Sequence, residues 1–377
     1  QRLIVQRCLY GVDKNHLAVE MAKLSLWLLV LARDEPFTFL DHAIKCGDSL
    51  VGLSAEQVKA LDWQPLASPL FAELDDATRE AATRRGEIVG LGVGHEAEKA
   101  LLHRSAETAL ADAKLVGDVV VAAFFKGTKD KERRAFREEA RTLVERWKSG
   151  KVERSALEAA AAELQRGEHP LSPFHWELEF PEVFGRENPG FDAVVGNPPF
   201  LGGRNLTASQ GFSYSHWLVE VQVGSSAAAD LVARFFRQSF SLLRNRGTWG
   251  LIATNTIAQG DTRNTGLRWI CNNGGVLVDV TKRVKWPGAA AVVVSLVHGF
   301  RGQWEGARML DGHSVSEITA FLFHAGGHDD PNQLECNAGK SFQGSILLGM
   351  GFTFDDTDKK GVANSIADME RLVAEDA

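Results

Sequence analysis

Residues 190–203 read Gly-Phe-Asp-Ala-Val-Val-Gly-Asn-Pro-Pro-Phe-Leu-Gly-Gly. An apolar strand runs to Gly196 and is stopped by two consecutive prolines. Proline has no ladder N–H and fixes its own backbone, so the strand cannot extend past Asn197. In an open α/β sheet, ligands bind just outside the carboxyl ends of the strands. Asn197 brings one acceptor and two donors to that edge, and Phe200 brings a flat apolar face. An amide oxygen and a neighbouring backbone carbonyl can hold both N–H bonds of an exocyclic amine while a ring stacks on the base.

The flanking sequence has α/β texture. Cys8 to Asp13 reads as a short buried strand ending on an acid. A helix follows, capped by Asn15 and carrying Leu17, Val19, Ala22, Leu24, Leu26, Leu28 and Leu29. It is apolar almost all round and is expected to be buried. Phe37 to Phe39 precede Ile44-Lys45-Cys46-Gly47-Asp48, a second strand ending on a second acid. Strand, helix, strand in this order is a βαβ pattern. From about 56 to 170 the chain turns rich in Ala, Glu, Lys and Arg, with helical spacing over 132–148 and 152–166. Phe136, Leu143, Val144 and Trp147 make one face. A helical insertion built of hairpins is expected, its charges mostly on a solvated face.

Beyond it, 191–196 is a strand, 230–243 an amphipathic helix with Phe235, Phe236 and Phe240, 245–247 a turn, and 248–254 a buried strand. A helix over 267–272, strands over 276–280 and 291–297, and a helix over 314–323 complete the reading. With 377 residues, two or three structural units are expected. No run of about 18 apolar residues exists. A net charge of −7 argues against a wholly basic nucleic-acid binder, though not against a local basic surface. The four cysteines are scattered without a CxxC pair. That suits a reducing cytoplasm and argues against a disulfide framework or a zinc site. The chain opens on Gln1-Arg2-Leu3-Ile4-Val5, a helix already under way, so it is expected to begin inside a larger protein.

These residues together resemble the adenine-N6-specific DNA methyltransferases, in particular the methylase region of large type II restriction–modification and phage-defence proteins. The resemblance covers roughly 1–55 and 180–300. It implies an α/β fold with a Rossmann-like, S-adenosylmethionine-dependent methyltransferase sheet and a long helical insertion. Asn197 and the Pro198 carbonyl would accept from the N6 amine of an adenine flipped out of double-stranded DNA, with Pro199 completing the rigid turn and Phe200 stacking on the base. Asp13, in Tyr10-Gly11-Val12-Asp13, would accept from the cofactor ribose hydroxyls, and Asp48, in Cys46-Gly47-Asp48-Ser49-Leu50, from the cofactor adenine amine. Asp230 would line the same cofactor pocket, or cap the helix behind it. Trp286 would stack on the base opposite Phe200, and Lys282, Arg283 and Lys285 would touch phosphates. No metal is implied.

One family element has no counterpart in the expected place. The Phe/Cys-x-Gly-x-Gly loop precedes the ribose-binding acid by about 20 residues in this layout, and Asp13 stands too near the start of the chain. Gly90-Leu91-Gly92-Val93-Gly94 comes after both acids and reads better as a helix–helix turn. The first strand and glycine loop are therefore expected to be absent from these residues, and the isolated chain is expected to bind cofactor weakly. The expected parts are 1–55 and 176–301 for the two pieces of the methyltransferase domain, 56–175 for the insertion and 302–377 for a linker toward a DNA-recognition region. Restriction or defence subunits are expected partners. The alternatives are a non-catalytic DNA-binding fragment of the same fold, and a methyltransferase acting on RNA or on a protein glutamine.

Overall fold

A computed structural model describes residues 2–30, 40–64, 74–91, 95–286, 292–330, 335, 353–359 and 363–375. Gln1–His328 form one compact unit and Asp329–Ala377 a second. The expected Phe37–Phe39 segment lies outside the described residues, as does 92–94 of the glycine-rich run. Gly90 itself ends one helix, and the next begins at Glu96.

The chain is mixed α/β. Helix α1 (Arg2–Cys8) leads into β1 (Gly11–Asp13), then α2 (His16–Leu29) and β2 (Ile44–Cys46). β1 and β2 pair in parallel and form a sheet of their own. Asn15 caps α2, its side chain accepting from the Leu17 N–H at 2.9 Å, as its sequence position implied. The burial expected for α2 is not found. Only Val19 and Lys23 are buried, whereas Leu17, Met21, Leu24, Leu28 and Leu29 are exposed. Apolar content shows what a helix can bury; here no described element covers that face.

The insertion is helical. It contains α3 (Ala55–Ala60), α4 (Leu74–Gly90), α5 (Glu96–Lys126), α6 (Asp130–Lys148) and α7 (Arg154–Ala161), the last running into a 3-10 turn at Ala162–Gln165. Val144 is buried and Phe136, Leu143 and Trp147 pack beside it, so the expected face of α6 is the packed one. The charges are less solvated than expected. Arg85 and Arg133 are almost fully buried, Arg133 lying over the Phe124 ring at 4.4 Å. Long basic stems cover apolar surface readily, and their heads find carbonyls or carboxylates.

Two short helices, α8 (Trp176–Glu179) and α9 (Pro181–Phe184), return the chain to β3 (Phe191–Gly196). Then come α10 (Gly203–Gln210), α11 (Phe212–Val221), α12 (Leu231–Leu242) and β4 (Leu243–Thr254). After α13 (Gly260–Arg263) come a single π turn at Asn264–Arg268 and α14 (Trp269–Asn272), and then β5 (Gly275–Lys285), β6 (Val293–Arg301), β7 (Arg308–Leu310) and β8 (His313–Val315). In the second unit, α15 spans Ile366–Glu375.

The six-stranded sheet has the order β3-β4-β6-β5-β7-β8. β3 and β4 are parallel, and β6 runs antiparallel to both β4 and β5. Helix α12 covers it, burying Phe236 and Phe240 against Trp249, Leu251, Val280 and Val297. The turn expected at 245–247 lies inside β4. Arg246 takes a left-handed φ of 63°, and the β3–β4 register shifts beside it, so the turn signal is expressed as a bulge. Residues 314–323 hold the end of β8 and turns, not a helix, since Ser314 pairs with Met309. β3 is also more open than its apolar sequence implies, with Val195 82 % exposed. It pairs only with β4 among the described residues, which leaves its other edge without a neighbour.

Candidate active site

The Asn197–Phe200 turn is held from two directions. Asn197 follows β3 directly and is exposed, and its amide has no hydrogen-bond partner among the described residues. Pro198 is buried, Pro199 exposed, and Phe200 half-buried against the α12 core. Just beyond, the Leu201 N–H donates to Asp230 Oδ1 at 3.1 Å, and the Leu231 N–H donates to the Leu201 carbonyl at 2.9 Å. Asp230 Oδ1 also accepts from the Val232 N–H at 3.0 Å, capping α12. One carboxylate oxygen thus fixes both the helix start and the loop after the prolines. Gly203 permits this: a Cβ there would stand 2.4 Å from the Ala227 carbonyl oxygen. The structure therefore brings Asn197, Pro198, Pro199, Phe200 and Asp230 together.

Asp13 and Asp48 form the second group. Asp13 ends β1, is exposed, and accepts the Asn15 N–H at 2.7 Å. Asp48 lies two residues beyond β2 and is buried at 4 % exposure. Its Oδ1 accepts from the Leu50 N–H and from the Tyr214 hydroxyl, each at 3.1 Å. Its Oδ2 is buried without a hydrogen-bond partner; the nearest cation is Lys14 Nζ at 3.5 Å. An orphaned buried acceptor is costly unless a donor arrives, so this oxygen has the chemistry to take an N–H of a ligand. The 48–51 turn lies against 172–174, with the Asp48 N–H donating to the Ser172 carbonyl and the Phe174 N–H to the Val51 carbonyl.

Trp286 follows β5 and is 37 % exposed, its backbone N–H donating to the Val292 carbonyl at 3.0 Å. No ring contact joins it to Phe200 among the described residues. Lys282 is engaged inside the fold, with Nζ donating to the Leu322 carbonyl at 3.0 Å and 3.4 Å from Asp311. Arg283 and Lys285 are exposed, and Arg283 has a left-handed φ of 57° at a bulge of β5.

The insertion grips the β1–β2 side through buried charge. Lys45 of β2 meets Glu179 and Glu107, Lys114 lies 2.7 Å from Glu107 and 2.8 Å from Glu179, and Arg85 lies 2.8 Å from Glu107. Burial alone would raise both carboxyls; Lys45 and Lys114 outweigh it, joined at Glu107 by Arg85, and hold both below the usual range. Burial and the nearby Arg85 push His103 down to about 3, so the imidazole is neutral at pH 7.

Lys14, Gln210 and Tyr214 were not singled out in the sequence. One signal was available for Tyr214: the chain has 21 phenylalanines and two tyrosines. Both hydroxyls sit beside a buried acid, Tyr10 at Glu182 and Tyr214 at Asp48.

Asp13, Asp48 and Asn197 each stand at or just past the carboxyl end of a strand in a mixed α/β chain, the edge where open α/β sheets bind ligands. The model of the Eco57I restriction-modification methylase family matches residues 7–277, well over half of the sequence, and the chain belongs to that family. A protein of Methanocaldococcus jannaschii, named for a type II restriction enzyme and methyltransferase, is 26 % identical over 295 residues. The match covers 70 % of this chain and 23 % of that protein's length. Among solved structures, the Type IIL restriction-modification enzyme MmeI in complex with DNA aligns with a TM-score of 0.34 at 16 % identity, over 49 % of this chain and 26 % of its own. A class I S-adenosylmethionine-dependent methyltransferase of Listeria monocytogenes aligns with a TM-score of 0.24 at 11 % identity, over 67 % of this chain and 90 % of its own.

Proposed function

We propose that this chain is the core of an enzyme that transfers a methyl group from S-adenosylmethionine to the N6 amine of adenine in double-stranded DNA, within a restriction–modification or defence system. The observation that carries the reading is Asn197: an exposed amide without a hydrogen-bond partner among the described residues, set on a proline-stiffened turn at the carboxyl end of β3. Family membership supports it.

Adenine N6 is a poor nucleophile because its lone pair is delocalised into the ring. Asn197 Oδ1 and the Pro198 carbonyl would accept from its two N–H bonds, drawing the nitrogen toward tetrahedral geometry and localising that pair. Phe200 would stack on the extruded base, with Trp286 on the other face, so that the base is held outside the duplex. Arg283 and Lys285 would meet phosphates; Lys282 has less to give, since Asp311 and Leu322 already engage it. Asp48 Oδ2 fits an N–H donor and Asp13 fits ribose hydroxyls, so the two acids would hold the cofactor. Bound S-adenosylmethionine supplies the methyl group in electrophilic form, on a sulfonium.

The test is transfer of labelled methyl groups to adenine in DNA by the intact protein and by its Asn197→Ala variant. Loss of at least about a hundredfold in the variant is expected, since removing one preorganised polar contact to a reacting group costs on that order. Equal transfer by both would end the reading.

A further inference from the structure

Asp48 is tied to the helices that follow the Asn197 turn. Tyr214 lies on α11, is 5 % exposed, and donates to the carboxylate oxygen that Leu50 also uses. Lys14 Nζ, 3.5 Å from the other oxygen, donates to Gln210 Oε1 at 2.7 Å and lies 5.6 Å from the Tyr214 ring centroid. Gln210 ends α10 and Tyr214 stands in the first turn of α11, with Gly211 between the two helices at a φ of 83°. One corner of the α10–α11 pair thus touches both oxygens of Asp48, one directly and one through Lys14.

A carboxylate that must accept from a flat N–H donor works only if its plane is fixed. The Leu50 N–H comes from the acid's own turn and moves with it. The Tyr214 hydroxyl comes from an element 166 residues away and is the contact that holds the plane independently. It also fills Oδ1, so Oδ2 is the oxygen left for a ligand. A phenylalanine would fill the same space and hold nothing; burying a tyrosine hydroxyl is justified only when it bonds.

We propose that Tyr214 is a positioning residue for Asp48, fixing the carboxylate so that Oδ2 reads an amine on the cofactor's base, and that it makes this reading depend on the α10–α11 pair that follows the Asn197 turn. This rests on the function proposed above. In the absence of a ligand donor, Lys14, steadied by Gln210, supplies the cation beside Oδ2.

The experiment measures binding, not turnover. S-adenosylhomocysteine and its analogue with hydrogen in place of the adenine amine are titrated into the intact protein by calorimetry. The wild type is expected to prefer the amine-bearing ligand by roughly tenfold, the value of one charged hydrogen bond. In Tyr214→Phe the preference is expected to fall to about twofold or less, with the analogue's affinity nearly unchanged. An undiminished preference, or equal weakening of both ligands, would overturn the assignment and leave the methyltransferase reading standing. A wild type that binds neither ligand would overturn both. Should Tyr214→Phe fold poorly, protein grown with 3-fluorotyrosine, a stronger hydrogen-bond donor, gives the readout in the native chain. A larger preference supports the assignment and an unchanged one overturns it.

Discussion

Asn197 directly follows a strand of a six-stranded sheet with an apolar core, the proposed base side, whereas Asp13 ends and Asp48 lies two residues past strands of three residues that, among the described residues, pair with each other, the proposed donor side. The base side is held by hydrophobic packing: Phe236, Phe240 and Trp249 are buried between α12 and the sheet. The donor side has a small apolar cluster of its own, Val5, Val19, Leu40 and Ile44, while Leu50 and Val51 beyond Asp48 belong to the insertion's core. It is held as well by buried charge, through the Lys45, Arg85, Glu107, Lys114 and Glu179 network. Packing carries no titrating group, whereas buried ion pairs hold only while their members stay ionised. The two sides of one site should therefore fail under different insults.

The largest effect is expected on the base side. Phe236→Ala should cost about 4 kcal/mol of stability, as large-to-small changes of buried aromatics do. Chemical denaturation should show the loss as a lowered midpoint, and the midpoint shift should be the same at low and high salt. On the donor side, Glu179→Ala leaves Lys45 and Lys114 facing each other with only Glu107 between them. About 3 kcal/mol is expected, the lower end for breaking a buried pair, with amide exchange in 44–48 rising before that in 249–253. Uniform exchange would show that the two sides unfold as one.

The smallest effect is a pH dependence. His103 is held neutral, its value near 3 against about 6.5 in an unfolded chain. The folded state therefore binds fewer protons, and stability falls as pH drops below about 6.5, by at most about 1.4 kcal/mol per pH unit. Glu107 and Glu179, both lowered, add a further loss only below about pH 4.3. The melting temperature should thus decline between pH 6.5 and 4.5 in the wild type and stay nearly flat in His103→Gln. A parallel decline in the variant would remove His103 from that role.

Much of this was legible because it is local. The proline stop after Gly196, the Asn15 and Asp230 caps and the apolar face of α6 are each set by residues within a few positions, and each stands where the sequence put it. The failures are of another kind. α2 and β3 are apolar, yet Leu17, Met21 and Val195 are exposed, because composition shows what can be buried and not what arrives to cover it. Asn245-Arg246-Gly247 is turn chemistry inside a continuous strand, decided by pairing with β3 and β6. The scarcity of tyrosine marks Tyr214 in the sequence, but its partner is far away along the chain, and only folding brings the α10–α11 corner onto Asp48.

The division of labour between the two sides is tested most directly by cofactor affinity in two variants of the intact protein. Calorimetric titration of S-adenosylmethionine should show Asp48→Ala weakened at least about tenfold and Asn197→Ala within about twofold of wild type. Comparable weakening in both variants, or a loss confined to Asn197→Ala, would contradict the assignment of donor and base to separate sides.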